Sequence, residues 1–302
     1  MLALAPGGHA ISIGERAYLV HVPARLADKP ALILNFHGGG GNAPSHQKYA
    51  RMDPLADREG FIVAYPEGTG PFDGRLQTWN AGTCCGSAAR DRVNDVDYVR
   101  RVLDDLARRL VYDPARVYAT GFSNGAMMSY RLAAELSERI AAIAPVAGAP
   151  VIERYATARA VPVMHIHSVD DRRALYAGGL GPPFPLTEVR VLHSAVEASL
   201  GLWARANGCA ANLQQRSQRE WKGHTGTLFA YPDCRAEVLL WKLSGAGHVW
   251  PGGEQDYLPR LLGPGTAVID ANEEMWKFFS RHRLPDGAAD AEHLKRKELL
   301  KP

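Results

Sequence analysis

The sequence predicts a doubly wound α/β fold, a mostly parallel sheet with helices on both faces, and three observations predict it. Residues 31–36, 61–65, 140–147 and 161–167 are short apolar runs of the kind that strands buried on both faces require. Between them lie segments whose apolar residues recur at helical spacing. Glycine-rich turns follow several of the runs, and in such a sheet ligands sit at the carboxyl ends of the strands.

Taken in order, Arg16–Val22 and residues 31–36 read as strands, the second ending in His37-Gly38-Gly39-Gly40-Gly41-Asn42. Residues 49–59 suit one helix and 61–65 a third strand. Val96, Val99, Leu103, Leu106 and Leu110 form an apolar stripe, and Asn94 or Asp95 ahead of it supplies an N-cap oxygen for the free amides. Then follow a strand at 116–120, a turn at 121–125, a helix at 126–136, and strands at 140–147 and 161–167. The alternation of strand and helix implies right-handed parallel crossovers. Residues 172–192 break the pattern with glycines and prolines and are expected to form an irregular loop bordering the site. Residues 197–207 read as a helix, 227–231 and 237–243 as closing strands, and 273–282 as a terminal amphipathic helix.

The chain has 302 residues, 46% hydrophobic and 22% charged, enough for one sizeable core. A single domain over residues 1–284 followed by a polar tail, 285–302, fits this layout. The net charge of +3 comes from 35 basic and 32 acidic residues mixed along the chain, so no nucleic-acid partner is expected. No stretch approaches the roughly 18 uninterrupted apolar residues of a membrane helix, so no membrane partner is expected either. Residues 1–10 carry no basic leader followed by a long apolar core, and no secretion signal is read there. Cys84, Cys85, Cys209 and Cys234 allow two disulfides or four thiols, and their spacing does not suit structural zinc.

Gly121-Phe122-Ser123-Asn124-Gly125 fits G-x-S-x-G, the sharp strand-to-helix turn that exposes a serine hydroxyl above the sheet. It follows a predicted strand and opens a predicted helix, the context that the motif needs. A capping serine in an ordinary turn is the competing reading. A serine hydroxyl is a weak nucleophile until a base takes its proton, and His248, in the glycine-rich loop 245–253 past the last strand, is placed to be that base. The acid that orients the imidazole should follow the strand at 161–167, where Asp170 and Asp171 both stand. His165 and His167, two apart on that strand, could be read as metal ligands, but no third ligand is placed and no metal is expected. Negative charge developing on a carbonyl oxygen needs backbone donors, which the amides of Asn124 and Gly39 can supply. The glycine run lacks the Lys and Ser/Thr of a phosphate loop.

Residues 35–42, Trp79-Asn80-Ala81-Gly82-Thr83-Cys84-Cys85-Gly86, residues 120–128 and Gly247-His248-Val249-Trp250-Pro251-Gly252-Gly253 together resemble the polyhydroxybutyrate depolymerase and feruloyl esterase family, from about Arg16 to His282. The resemblance implies an α/β-hydrolase fold and a cofactor-independent Ser-Asp-His esterase acting on a small-molecule or polymeric ester, often outside the cytoplasm. A serine peptidase and a catalytically silent binding protein on the same scaffold are the alternatives. The acid loop Ser168-Val169-Asp170-Asp171-Arg172-Arg173-Ala174-Leu175-Tyr176 departs from a more usual Gly-Thr-x-Asp-x-x-x-Pro-Tyr. Aligned without a gap, the family's acid falls on Asp171. The resemblance also implies pairing of Cys209 with Cys234 and leaves Cys84 and Cys85 open. His37, Gly38, Trp79 and Trp250 flank these motifs and are expected near substrate, although large aromatics are as often core.

Overall fold

The computed structural model describes residues 4–285 apart from residues 73, 153, 154, 156, 185–187 and 211. The predicted tail therefore lies, beyond Pro285, outside the described residues. The chain opens with a hairpin, β1 (Gly7–Ile13) and β2 (Arg16–Val22), then β3 (Leu32–Phe36), α1 (Ala43–Ala50), α2 (Asp53–Glu59) and β4 (Ile62–Pro66). After α3 (Gly86–Arg90) and α4 (Asp95–Arg109) come β5 (Val117–Phe122), α5 (Asn124–Glu135), β6 (Ala142–Val146) and β7 (Val163–Ser168). A two-residue pair, β8 (Gly179–Leu180) and β9 (Leu192–His193), precedes α6 (Val196–Ala206). The chain closes with β10 (Gln214–Trp221), β11 (His224–Ala230), β12 (Val238–Ser244), α7 (Pro259–Leu262) and α8 (Ala271–Phe279).

The strand order is β1-β2-β4-β3-β5-β6-β7-β12-β11-β10. The segment from β4 to β12 is parallel, flanked by antiparallel strands at both edges. β3, β4, β5, β6 and β7 are buried at every residue, which is why they read as unbroken apolar runs. One core lies between the sheet and α4, α5 and α6, and the other between the sheet and α1, α2 and α8. α4 shows why these helices form. Asn94 accepts from the Asp97 amide at 3.1 Å as N-cap, Asp95 and Asp97 sit at the positive end of the helix dipole, and Arg108 and Arg109 at the negative end. Of its predicted stripe, Val96, Val99, Leu103 and Leu106 are buried together with Val102, at roughly 2 kcal/mol per side chain, whereas Leu110, the C-cap residue, is half-buried.

Several elements differ from the sequence reading. The single helix expected over 49–59 is two, because Arg51 adopts a left-handed conformation (φ 53°) that ends α1, and Pro54 starts α2. β1 and β10 went unpredicted, as did the short α3 and α7. β10 is an edge strand exposed along almost its whole length, so the alternation that marks a half-buried strand is missing from Gln214–Trp221. Residues 185–187 of the expected irregular loop 172–192 lie outside the described residues; the rest of it is mostly irregular but contains β8 and the start of β9.

Cys209 and Cys234 form a disulfide that ties the segment after α6 to the turn before β12. Closing a loop of sequence separation 25 contributes about 3.5 kcal/mol in the chain-entropy model. Cys84 and Cys85 are joined through a cis peptide bond, with their sulfurs against one another.

Candidate active site

The carboxyl ends of β3, β5, β7 and β12 carry the His37–Gly41 loop, Ser123, Asp171 and His248 in that order. Ser123 joins β5 to α5 at φ 56° and ψ −116°, a conformation that L-residues rarely adopt. The flanking glycines make it possible. A Cβ on Gly121 would lie 2.6 Å from the Gly125 carbonyl carbon and 2.7 Å from the Phe36 oxygen, and one on Gly125 would collide with the Phe36 and His37 carbonyls. The Ser123 amide donates to the Val146 carbonyl at 2.8 Å, so the turn is clamped to β6.

His248 follows β12 in a loop fixed by hydrogen bonds from Gly247 N to Pro264 O (2.9 Å) and from His248 N to Leu262 O (2.6 Å). Its imidazole packs on the ring of Phe122, next to Ser123 in sequence, with centroids 4.6 Å apart. Nδ1 lies 2.6 Å from Asp171 Oδ2. A carboxylate only accepts, so Nδ1 carries the proton and, in the neutral ring, Nε2 presents a lone pair.

Asp171 is buried and fully engaged. Oδ1 accepts from the amides of Arg173 (2.7 Å) and Ala174 (2.8 Å), and Oδ2 faces both His248 and His167 Nε2 (3.2 Å). Burial opposes its charge, but His248 and His167 beside it outweigh that cost and hold the carboxyl far below the usual range. Asp170 is exposed and accepts from the Gly245 amide at 2.7 Å, bracing the loop that leads to His248.

The glycine loop sits against the serine turn. A Cβ on Gly38 would lie 3.5 Å from Ser123 Cβ, and one on Gly39 3.5 Å from Asn124 Cβ. Among the described residues, neither the Gly39 nor the Asn124 amide donates to a protein acceptor. His37 orients the first of them. Its Nε2 accepts from the Gly68 amide (2.9 Å), so Nδ1 is the protonated nitrogen and donates to the Gly38 carbonyl (2.8 Å). In a planar trans peptide this turns the Gly39 N–H to the side opposite His37. Burial lowers the His37 pKa to about 4, and the ring stays neutral although Glu67 lies 3.6 Å away.

Trp79, Trp250 and His37, expected near substrate, are all buried. Trp79 and Trp250 are completely buried, and their indole N–H groups bond to the His37 carbonyl (3.0 Å) and to Asn272 Oδ1 (3.1 Å). Neither ring faces solvent, because each is packed beneath the loops that it was expected to border. Trp79 works from below instead. Its backbone amide and carbonyl pair with both ends of the Asn124 side chain at 2.7 and 3.1 Å, which locks the first residue of α5. His37 is likewise buried and acts on the Gly38 carbonyl, while Gly38 itself is half-buried beside the serine.

Residues that sequence reasoning missed come from the 172–192 loop and its exit. Phe184 Cε1 lies 3.9 Å from where a Gly39 Cβ would be, and the Arg173 guanidinium sits 6.0 Å from the Phe184 ring centroid. His193 is half-buried, with its pKa lowered to about 4 by burial and by the nearby His248. The only signal for either was that the loop follows the acid.

Residues 16–201 match the profile of the esterase PHB depolymerase family. The chain is 32% identical over 270 residues to NocK of Nocardia uniformis subsp. tsuyamanensis, covering 82% of this chain and 74% of NocK. It is 29% identical over 255 residues to feruloyl esterase B of Piromyces equi, which covers 80% of this chain but 44% of that longer protein. Its fold is shared with an acetyl xylan esterase from Aspergillus awamori at a TM-score of 0.62 and 15% identity, over 91% of this chain and 99% of that one. The chain belongs to the esterase PHB depolymerase family and is a carboxylic ester hydrolase of the α/β-hydrolase fold.

Proposed function

We propose that the chain cleaves esters through an acyl-serine intermediate on Ser123, with His248 as general base and acid and Asp171 as the group that orients it. The observation that carries this reading is the 2.6 Å contact of Asp171 Oδ2 with His248 Nδ1, which leaves Nε2 as the proton acceptor. As Ser123 Oγ attacks the ester carbonyl, its proton passes to Nε2, and the oxyanion takes hydrogen bonds from the Gly39 and Asn124 amides. Collapse expels the alcohol, which takes the proton from Nε2. Water then attacks the acyl-serine with His248 again as base, releasing the acid and restoring Ser123.

The substrate class is feruloyl, polyhydroxyalkanoate or short acyl ester. Phe184 beside Gly39 favours a flat hydroxycinnamoyl acyl group, whose ring it can meet next to the oxyanion donors. The Cys209–Cys234 disulfide supports action outside the reducing cytoplasm. Initial rates on p-nitrophenyl acyl esters and methyl hydroxycinnamates test the reading. Ser123→Ala should lower kcat on the best of them roughly 10³- to 10⁶-fold with the fold intact. Activity within tenfold of the unmodified protein would rule the mechanism out.

A further inference from the structure

We propose that His167 is a positioning residue for Asp171, held in one tautomer as the last link of a hydrogen-bond chain that begins at Tyr130. The inference rests on the reading of Asp171 as the acid that orients His248. β7 places His165 and His167 on one face of the sheet, two residues apart, and both are buried. Tyr130 Oη lies 2.9 Å from His165 Nδ1, and His165 Nε2 lies 3.0 Å from His167 Nδ1. His167 Nε2 in turn lies 2.8 Å from the Ala174 carbonyl and 3.2 Å from Asp171 Oδ2.

The direction of every link follows from the last one. The Ala174 carbonyl and the Asp171 carboxylate only accept, so His167 Nε2 carries a hydrogen shared between them. In the neutral ring Nδ1 is then a lone pair, which requires His165 to donate from Nε2. His165 Nδ1 is therefore the acceptor, and Tyr130 donates its hydroxyl hydrogen to it. Burial keeps Tyr130 and His165 uncharged, pushing the Tyr130 hydroxyl pKa well up and the His165 pKa well down. Tyr176 stands edge-on to His167 with centroids 5.7 Å apart, and Lys242, its β12 neighbour in register, is engaged with Glu197.

The consequence falls on Asp171 Oδ2, the same oxygen that receives His248. Two amides fix Oδ1, and the His167 N–H supplies the second donor on Oδ2, so the plane of the carboxylate is held from both ends. A ring locked by His165 can only offer N–H there. A free imidazole could turn a lone pair toward the carboxylate and repel it.

The test pairs two amide substitutions. In His167→Gln the amide nitrogen reaches about as far as Nε2 did and can still donate to Asp171. In His167→Asn it falls short and meets only His165. The asparagine variant should lose kcat for ester hydrolysis roughly ten- to hundredfold, the span of one hydrogen bond to a charged group, with KM within about threefold and little change in melting temperature. The glutamine variant should stay within about fivefold of the unmodified protein. Nitrogen-15 spectra of histidine-labelled protein at pH 7 should show both His165 and His167 neutral and protonated on Nε2. Equal activities of the two variants, a loss carried by KM, or His167 protonated on Nδ1 would each overturn the inference. If Asp171→Asn loses activity while His167→Asn does not, this inference alone fails. If Asp171→Asn is fully active, the reading of Asp171 fails and takes this one with it.

Discussion

Replacing Asp171 by asparagine exchanges one carboxylate oxygen for an NH2 group where four N–H donors already converge, those of His248, His167, Arg173 and Ala174. The amide has two ways to sit. With NH2 toward Arg173 and Ala174, two donor pairs face each other at 2.7 and 2.8 Å, and two buried N–H groups lose their acceptor at about 1–3 kcal/mol each. With NH2 toward His248, both backbone donors keep their oxygen and His167 keeps the Ala174 carbonyl at 2.8 Å. The second arrangement is therefore preferred, and it inverts the base. Asparagine now donates to His248 Nδ1, the proton moves to Nε2, and no lone pair is left for Ser123. In a serine protease triad the same exchange lowers kcat about 10⁴-fold, or about 5 kcal/mol of transition-state stabilisation, and the same loss is expected here. KM should change little, because Asp171 is buried. Asp170→Asn keeps an oxygen for the Gly245 amide and should cost less than about tenfold. Both variants are compared by initial rates on p-nitrophenyl acetate, with circular dichroism to confirm the fold. Asp171→Asn within tenfold of the unmodified protein, or a larger loss from Asp170→Asn, would show that Asp171 does not orient His248.

Stability should fall on acidification through the buried histidines. Burial holds His37 at about 4 and His46 at about 3 in the folded state, against 6.5 unfolded. The unfolded chain therefore binds protons first, so the loss begins as pH drops below 6.5 and reaches about 2 kcal/mol per histidine at pH 5. Urea unfolding at pH 7 and pH 5 measures it, and His46→Gln, which can still donate to Asn35, should flatten the slope. Equal stability at the two pH values would contradict the assignment. Gly121→Ala drives a methyl group into the backbone of Gly125 and Phe36, so a variant that melts within about 5 °C of the unmodified protein would show the serine turn to be looser than described.

What the sequence made legible was set by how local the physical constraint is. Buried parallel strands need apolar runs, and β3 to β7 were found from them. The turns that carry Ser123 and His248 were readable because they need glycine at particular places: Gly121 and Gly125 for one, Gly247, beneath the Leu262 carbonyl, for the other. β10 was illegible because an exposed edge strand buries neither face. Trp79 and Trp250 misled because neighbourhood in sequence says nothing about depth: both lie near site loops and both face inward. Phe184 and His193 reach the site along a loop without periodicity, and only the return of the chain places them there. The Tyr130–His165–His167 chain joins α5 to β7, a pairing set by tertiary packing alone.

If Ser123 is the nucleophile, a covalent label for activated serines will find it. A fluorophosphonate incubated with the native protein should add once, stop ester hydrolysis in step with labelling, and be found by peptide mapping on Ser123, with no adduct in Ser123→Ala. An adduct on another residue, or full hydrolytic activity in a protein left unlabelled, would contradict the account.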